Sequence, residues 1–363
     1  MIRYTNEDRH YDETKENLLQ VLAECSYSPI QRSGEYNGKY LVPKYTNKVE
    51  QQLKNLTGRK HCVATLNATS AICASLIALD VQPGDEVICT SLSYVASVNQ
   101  VQILGATPVF CDVDDQGIID LDQVENNITS RTKAILPVSL YGNTPDYDRL
   151  QTIADKHNLP VLNDTAQSMY AEYKGKQDGS FGDFSVFSFS RNKPVPTIFG
   201  FGAVLFDNDD YLGPITRATR NGKMNRIEMP QSKGMNAQPY DIHCAHASHC
   251  ISKGLEWNNI RCKISEYYLE QLKNTPLDYI MAQDYCTTNW HKFVLKTNKR
   301  DELAKHLWQN DISAVKHYTD NLSKSPKMVN TIKLNNTVLS VPNHNWLTDS
   351  EVEKVANTIK DFF

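Results

Sequence analysis

The stretch HCVATLNATSAICASLIALD, residues 61–80, decides between two architectures. An unbroken apolar run of about 20 residues would read as a membrane span. Asn67, Thr69 and Ser70 interrupt this one, so it reads as a strand, a turn and a helix.

Outward from it the same unit recurs. The apolar runs EVICTS, TPVFCDVD, AILPVSLYG, LPVLNDTA, FSVFSFS and GAVLFD follow as far as residue 206, interleaved with the helix-like YVASVNQVQILG, DLDQVENNI and DYDRLQTIADKHN. Strands of this length alternating with helices predict an α/β fold, a large domain whose mostly parallel seven-stranded sheet is covered by helices on both faces. Ligands of such sheets collect at the carboxyl ends of the strands. Residues 1–60, closing on KVEQQLKNLTG, read as an amphipathic lead-in that packs on the large domain at 61–250. Residues 251–363 read as a small C-terminal α+β domain, with strand-like WHKFVLKT and TVLSVP, helix-like RDELAKHLWQN, and a final helix DSEVEKVANTIKDFF.

Composition excludes several classes of function. The net charge of -4 and the lack of any Lys/Arg-rich run argue against nucleic acid as a partner. Nine cysteines without a C-x-x-C pair suit free thiols in a reducing compartment. The opening MIRYTNEDRHYDETK lacks the apolar core of a secretion signal, so the expected location is the cytoplasm, with no membrane partner.

Four features sit at predicted carboxyl ends of strands. Ala68 and Thr69 in LNATSA open a helix, whose unpaired N–H groups and dipole can hold an anion; an ordinary Thr/Ser cap fits as well. Tyr94 in SLSYVAS can stack on an aromatic ligand or join the core. Asp164 in NDTAQ can pair with a cationic partner or serve as a turn former. FSVFSFSRNKPVP, residues 184–196, carries Ser188 and then delivers Lys193 ahead of Pro-Val-Pro. A lysine there either swings out to solvent or is desolvated into a nucleophile. In chain order these supply an anion cradle, a stacking ring, a carboxylate and an amine, the set that a pyridoxal 5'-phosphate site requires.

The chain also resembles the DegT/DnrJ/EryC1/StrS sugar aminotransferases, a branch of the fold-type-I pyridoxal phosphate enzymes. QPGDEVICTSLSYVAS, LGATPVFCDVD, SRTKAILPVSLYGNTPDYDRL and KHNLPVLNDTAQS follow the family's consecutive blocks, and GSFGDFSVFSFSRNK follows its G-S-x-G-D-x-x-x-F-S-F-x-x-x-K signature. The resemblance implies that Lys193 is the catalytic Schiff-base lysine, that Asp164 pairs with the pyridinium, and that Gln167 lies against the ring on which Tyr94 stacks. Ala68, Thr69 and Ser188 would hold the phosphate. GMNAQPYDIHCAHA nominates Asn236 of a neighbouring subunit to complete the phosphate site, which implies a homodimer with shared active sites. Tyr40 and Tyr318 would border the acceptor. Two departures stand out: Ala237 and Gln238 replace an aromatic and an arginine, and FGFG at 199–202 replaces a glycine-richer segment.

The resemblance implies transfer of an amino group from an amino acid, L-glutamate in this family, to a keto-sugar linked to a nucleotide, in amino-deoxysugar or surface-polysaccharide biosynthesis. Alternatives are a sugar dehydratase, whose relatives carry histidine in place of the lysine, and a non-catalytic cofactor-binding regulator. Two other signals fall short. HCAHASHC at 243–250 has histidines and cysteines at helical spacing but no matched second ligand group, so no metal is expected. GFGAV at 200–204 precedes a strand and lacks the third glycine of a dinucleotide fingerprint.

Overall fold

The computed structural model describes residues 1–24, 34–36, 39–41, 44–224, 228–318 and 322–363. Strands β1 (His61–Thr65), β2 (Glu86–Thr90), β3 (Thr107–Cys111), β4 (Thr132–Leu136), β5 (Leu162–Asp164), β6 (Phe184–Ser188) and β7 (Gly202–Phe206) coincide with the seven apolar runs. A four-stranded and a three-stranded sheet are joined by the parallel bridges Ile135–Val161 and Val138–Asp164, giving the order β1-β7-β6-β5-β4-β2-β3. Only β7 runs antiparallel to its neighbours.

Side-chain alternation explains why every strand is apolar throughout. On β6, Phe184 and Val186 face one core while Phe187 faces the other; on β7, Val204 and Phe206 oppose Ala203 and Leu205 in the same way. One face carries helices α3 (Ala68–Ala78) and α4 (Ala96–Ile103), and the other carries α2 (Lys44–Thr57) and the start of α8, defined below. A sheet buried on both sides has no polar face, so its strands lose the simple in/out pattern. Helix α1 (Glu7–Glu24) precedes α2, α5 (Leu121–Asn126) and α6 (Tyr147–His157) flank the far edge, and α7 (Leu212–Thr219) follows β7. Asp146 caps α6 by accepting from the Arg149 N–H, and Asn158 ends it in the left-handed conformation.

The 32-residue helix α8 (Asp241–Leu272) links two cores. Its first half, with Cys244, Ala247 and Trp257, packs below the large sheet; its last turns, with Ile264, Tyr268 and Leu272, pack in the C-terminal core. There β8 (Asp278–Tyr279), β9 (Phe293–Lys296) and β10 (Val338–Val341) form an antiparallel sheet with β9 central. Helices α9 (Arg300–Gln309) and α11 (Asp349–Lys360) cover it, the latter opened by a Thr348/Glu351 capping box. Helix α10 (Val329–Thr337) precedes β10. No helix among the described residues is long and apolar enough to cross a membrane.

Candidate active site

The carboxyl ends of β1, β2, β5 and β6 open into one cavity of about 500 Å³. The β1–α3 turn forms one wall. Asn67 caps α3, its Oδ1 accepting from the Ser70 N–H at 2.8 Å, which leaves Ala68 and Thr69 at the mouth of the helix on the cavity side. Gly202, at the start of β7, passes directly beneath this turn. A Cβ there would come within 2.3 Å of the Asn67 carbonyl carbon and 2.5 Å of the Ala68 nitrogen. Only glycine permits that approach, so the FGFG departure keeps the one glycine the cradle requires. Ser188 sits beside Gly202 in register and lines the same wall.

Asp164, the last residue of β5, is buried and faces the cavity from the floor. Its Oδ1 accepts from the Ala166 N–H at 3.1 Å and its Oδ2 from the Ser97 hydroxyl at 2.6 Å. Both donors fix the orientation of the carboxylate. Gln167, three residues further, is held at both ends: its Oε1 accepts from the Tyr141 N–H at 3.1 Å, and its Nε2 donates to the Tyr318 hydroxyl at 3.3 Å. Tyr94, just ahead of α4, is half exposed at the lip, its ring centroid 6.2 Å from that of Tyr318.

Lys193 lies in the loop after β6. The loop is closed at its base by the Phe189 N–H to the Phe201 carbonyl, and Arg261 of α8 donates to the Pro194 carbonyl at 2.9 Å. These bonds fix the backbone on either side of the lysine. Burial pushes the Lys193 amine below the ordinary lysine range, opposed by the Asp164 carboxylate. The result is an amine that gives up its proton more readily than a surface lysine, facing a carboxylate across a void.

The cavity thus brings together Ala68, Thr69, Tyr94, Asp164, Gln167, Ser188, Lys193 and Tyr318. Asn236 does not line it. It is exposed, next to Ala237, whose carbonyl accepts from the Leu66 N–H. The backbone of Tyr40 pairs with Glu35 in a short hairpin, and its side chain lies outside the described residues. The cavity also holds Ser97, His291, Lys292 and His317, which sequence reading did not single out. Ser97 is one helical turn from Tyr94, and that spacing was the available signal. His291 and Lys292 come from the turn before β9, and burial moves both well below their ordinary ranges. The Lys292 amine lies 4.5 Å from the centroid of the Tyr4 ring.

The donor set fits pyridoxal 5'-phosphate. A helix N-terminus backed by a glycine suits a phosphate, a buried carboxylate suits a protonated ring nitrogen, and a depressed amine suits an aldehyde.

Residues 32–360 match the DegT/DnrJ/EryC1/StrS aminotransferase family. The UDP-2-acetamido-2-deoxy-3-oxo-D-glucuronate aminotransferase of Pseudomonas aeruginosa is 30% identical over 326 residues, 87% of this chain and 90% of that protein. The dTDP-3-amino-3,6-dideoxy-alpha-D-galactopyranose transaminase of Aneurinibacillus thermoaerophilus is 30% identical over 335 residues, 90% of this chain and 92% of that protein. Among solved structures, S. venezuelae DesV in complex with ketimine intermediate superposes with a TM-score of 0.91 at 26% identity, covering 99% of this chain and 98% of that one.

Proposed function

This chain belongs to the DegT/DnrJ/EryC1/StrS aminotransferase family, and from that premise we propose that it moves the amino group of L-glutamate to a nucleotide-linked keto-sugar. It is a sugar aminotransferase with the family's fold, and its cofactor is pyridoxal 5'-phosphate. The finer assignment of donor and acceptor, the role in amino-deoxysugar and surface-polysaccharide biosynthesis, and a cytoplasmic location extend the coarser one. Residues 61–250 would carry the cofactor and 251–363 would close over the substrates, with 1–60 packed against the former.

Thr69, the Ala68 N–H and Ser188 would hold the phosphate, Asp164 the ring nitrogen, Tyr94 and Gln167 the ring, and Lys193 the aldehyde. When bound, the cofactor supplies an electron sink for the carbanion that forms as the donor loses its α-proton. The protein's share is proton handling and alignment. Lys193 Nζ takes the proton from the donor α-carbon and, in the second half-reaction, returns one to the sugar carbon that receives nitrogen. Both tasks favour an amine brought toward neutrality. Asp164, fixed by hydrogen bonds from Ser97 and the Ala166 N–H, would hold a proton on the ring nitrogen. Asn236 of a second copy would complete the phosphate site, which makes the working unit a homodimer. Tyr318, bonded to Gln167, and Tyr40 would border the acceptor.

The observation that carries this reading is the convergence of Lys193, Asp164 and the α3 N-terminus on one cavity, with the lysine's amine depressed. The test is to add L-glutamate to the yellow holoenzyme. Loss of the cofactor's visible band with release of 2-oxoglutarate supports it, followed by a keto-sugar nucleotide gaining one amine by mass. A band unchanged at saturating L-glutamate sinks the donor assignment.

A further inference from the structure

On the opposite side of the protein wall from the cofactor cavity, α1 packs against α8 with an unusual inner face. Among its described residues the buried ones are His10, Thr14 and Val21, while Tyr11, Leu19 and Leu22 lie on its exposed side. Polar contacts also attach it: Arg9 pairs with Glu351 at 2.7 Å, and Glu13 accepts from the indoles of Trp257 and Trp346. His10 meets His246 and Cys250, one turn apart on α8. All three are buried, and one ligand-type atom from each lies within 4.8 Å of the others.

The run at 243–250 lacks a second ligand group in sequence, and His10, more than two hundred residues away, provides it. Cys250 Sγ is 3.7 Å from His246 Nε2 and 3.9 Å from His10 Nε2. Ligands of a tetrahedral zinc ion, with bonds of about 2.0 Å to nitrogen and 2.3 Å to sulfur, sit about 3.5 Å apart. The two sulfur–nitrogen pairs would need to close by only a few tenths of an ångström, and the two imidazoles lie within 4.8 Å of each other. Left to themselves the three groups satisfy each other poorly, since the contacts are long for hydrogen bonds.

We propose that His10, His246 and Cys250 bind one zinc ion that staples α1 to α8. Binding forms one Zn–S and two Zn–N bonds, and the thiol proton leaves to solvent. Glu13, one turn from His10, supplies the remaining negative charge nearby. Its two oxygens accept from the indole N–H groups of Trp257 at 3.1 Å and Trp346 at 2.6 Å, which hold it in place. The thiolate offsets one of the ion's two charges, and this carboxylate, at the solvent edge, lies beside the other. A water molecule takes the fourth position.

The holoenzyme, expressed in zinc-supplemented medium so that the ion is present while the chain folds, is dialysed and its zinc counted. One zinc per chain is expected in the wild type and in Cys262→Ser, a cysteine of the same helix outside the cluster. Cys250→Ser and His10→Gln should fall below about a tenth of that. X-ray absorption at the zinc edge of the wild type reads the site without any variant and should show one sulfur and two imidazoles. Zinc-free wild type, zinc that survives Cys250→Ser in full, or an edge spectrum without sulfur would each overturn the proposal.

Discussion

The cofactor cavity and the α1–α8 seam both bury ionisable side chains, and they differ in what surrounds them. In the cavity Lys193 and Asp164 face each other across a void of about 500 Å³, and each is held from behind: Asp164 by Ser97 and a backbone N–H, the lysine's loop by Arg261. At the seam the Cys250 thiol faces His246 and His10 directly, at 3.7 and 3.9 Å. Charge opposed by charge across a void gives reactivity toward a guest molecule. Polar groups that face one another directly have only each other, or an ion, to satisfy them.

The sharpest way to break that contrast is Lys193→Ala, which leaves the void and removes the amine. Turnover should fall at least about 10³-fold with far-UV circular dichroism unchanged, and borohydride reduction followed by peptide mapping should find no pyridoxyl adduct where the wild type carries one on Lys193. An adduct on another lysine would relocate the chemistry.

Asp164→Asn keeps shape and removes the opposing charge. We expect kcat/KM to drop about 10²–10³-fold, with the cofactor's visible spectrum shifted as its ring nitrogen loses the carboxylate. Ser97→Ala removes only the hydroxyl behind that carboxylate, and a loss of about tenfold in kcat at nearly constant donor KM is expected. If it equalled Asp164→Asn, Ser97 would be touching a reacting group itself.

The smallest effect tests the closed side. Glu50 on α2 accepts from the Ala64 N–H at 2.9 Å, and burial raises its carboxyl from 4.5 to about 7. The folded chain therefore holds a proton that the unfolded chain releases near 4.5, so stability falls as pH rises from there to about 7. Glu50→Gln should raise Tm by about 2–6 °C at pH 8 and leave it unchanged at pH 4. Equal gains at both pH values would show that ionisation is not the cause.

Much of this was legible in the chain. The seven strands stand out because a doubly covered sheet demands apolar runs, and Asp164 and Lys193 stand out because one ends such a run and the other lies in the loop just after one. Helix α10 was not legible. VNTIKLNNT is rich in Asn and Thr, weak helix formers, and no neighbour in sequence caps it. The cap comes from Asp112, after β3, whose carboxylate accepts from the N–H groups of Asn330 at 2.8 Å and Thr331 at 2.9 Å. His291, Lys292 and His317 were missed for a related reason, since a polar residue beside a short strand looks like a surface residue until the C-terminal sheet folds over the cavity.

The sequence by itself determined the α/β architecture, the family and the order in which the cradle, carboxylate and amine arrive, because each rests on residues within a few positions of a strand end. Only the tertiary structure decided which side chains stand behind them and that His10 reaches His246 and Cys250. Those meetings depend on how separate helices pack, and helix packing joins residues that no spacing in the chain relates.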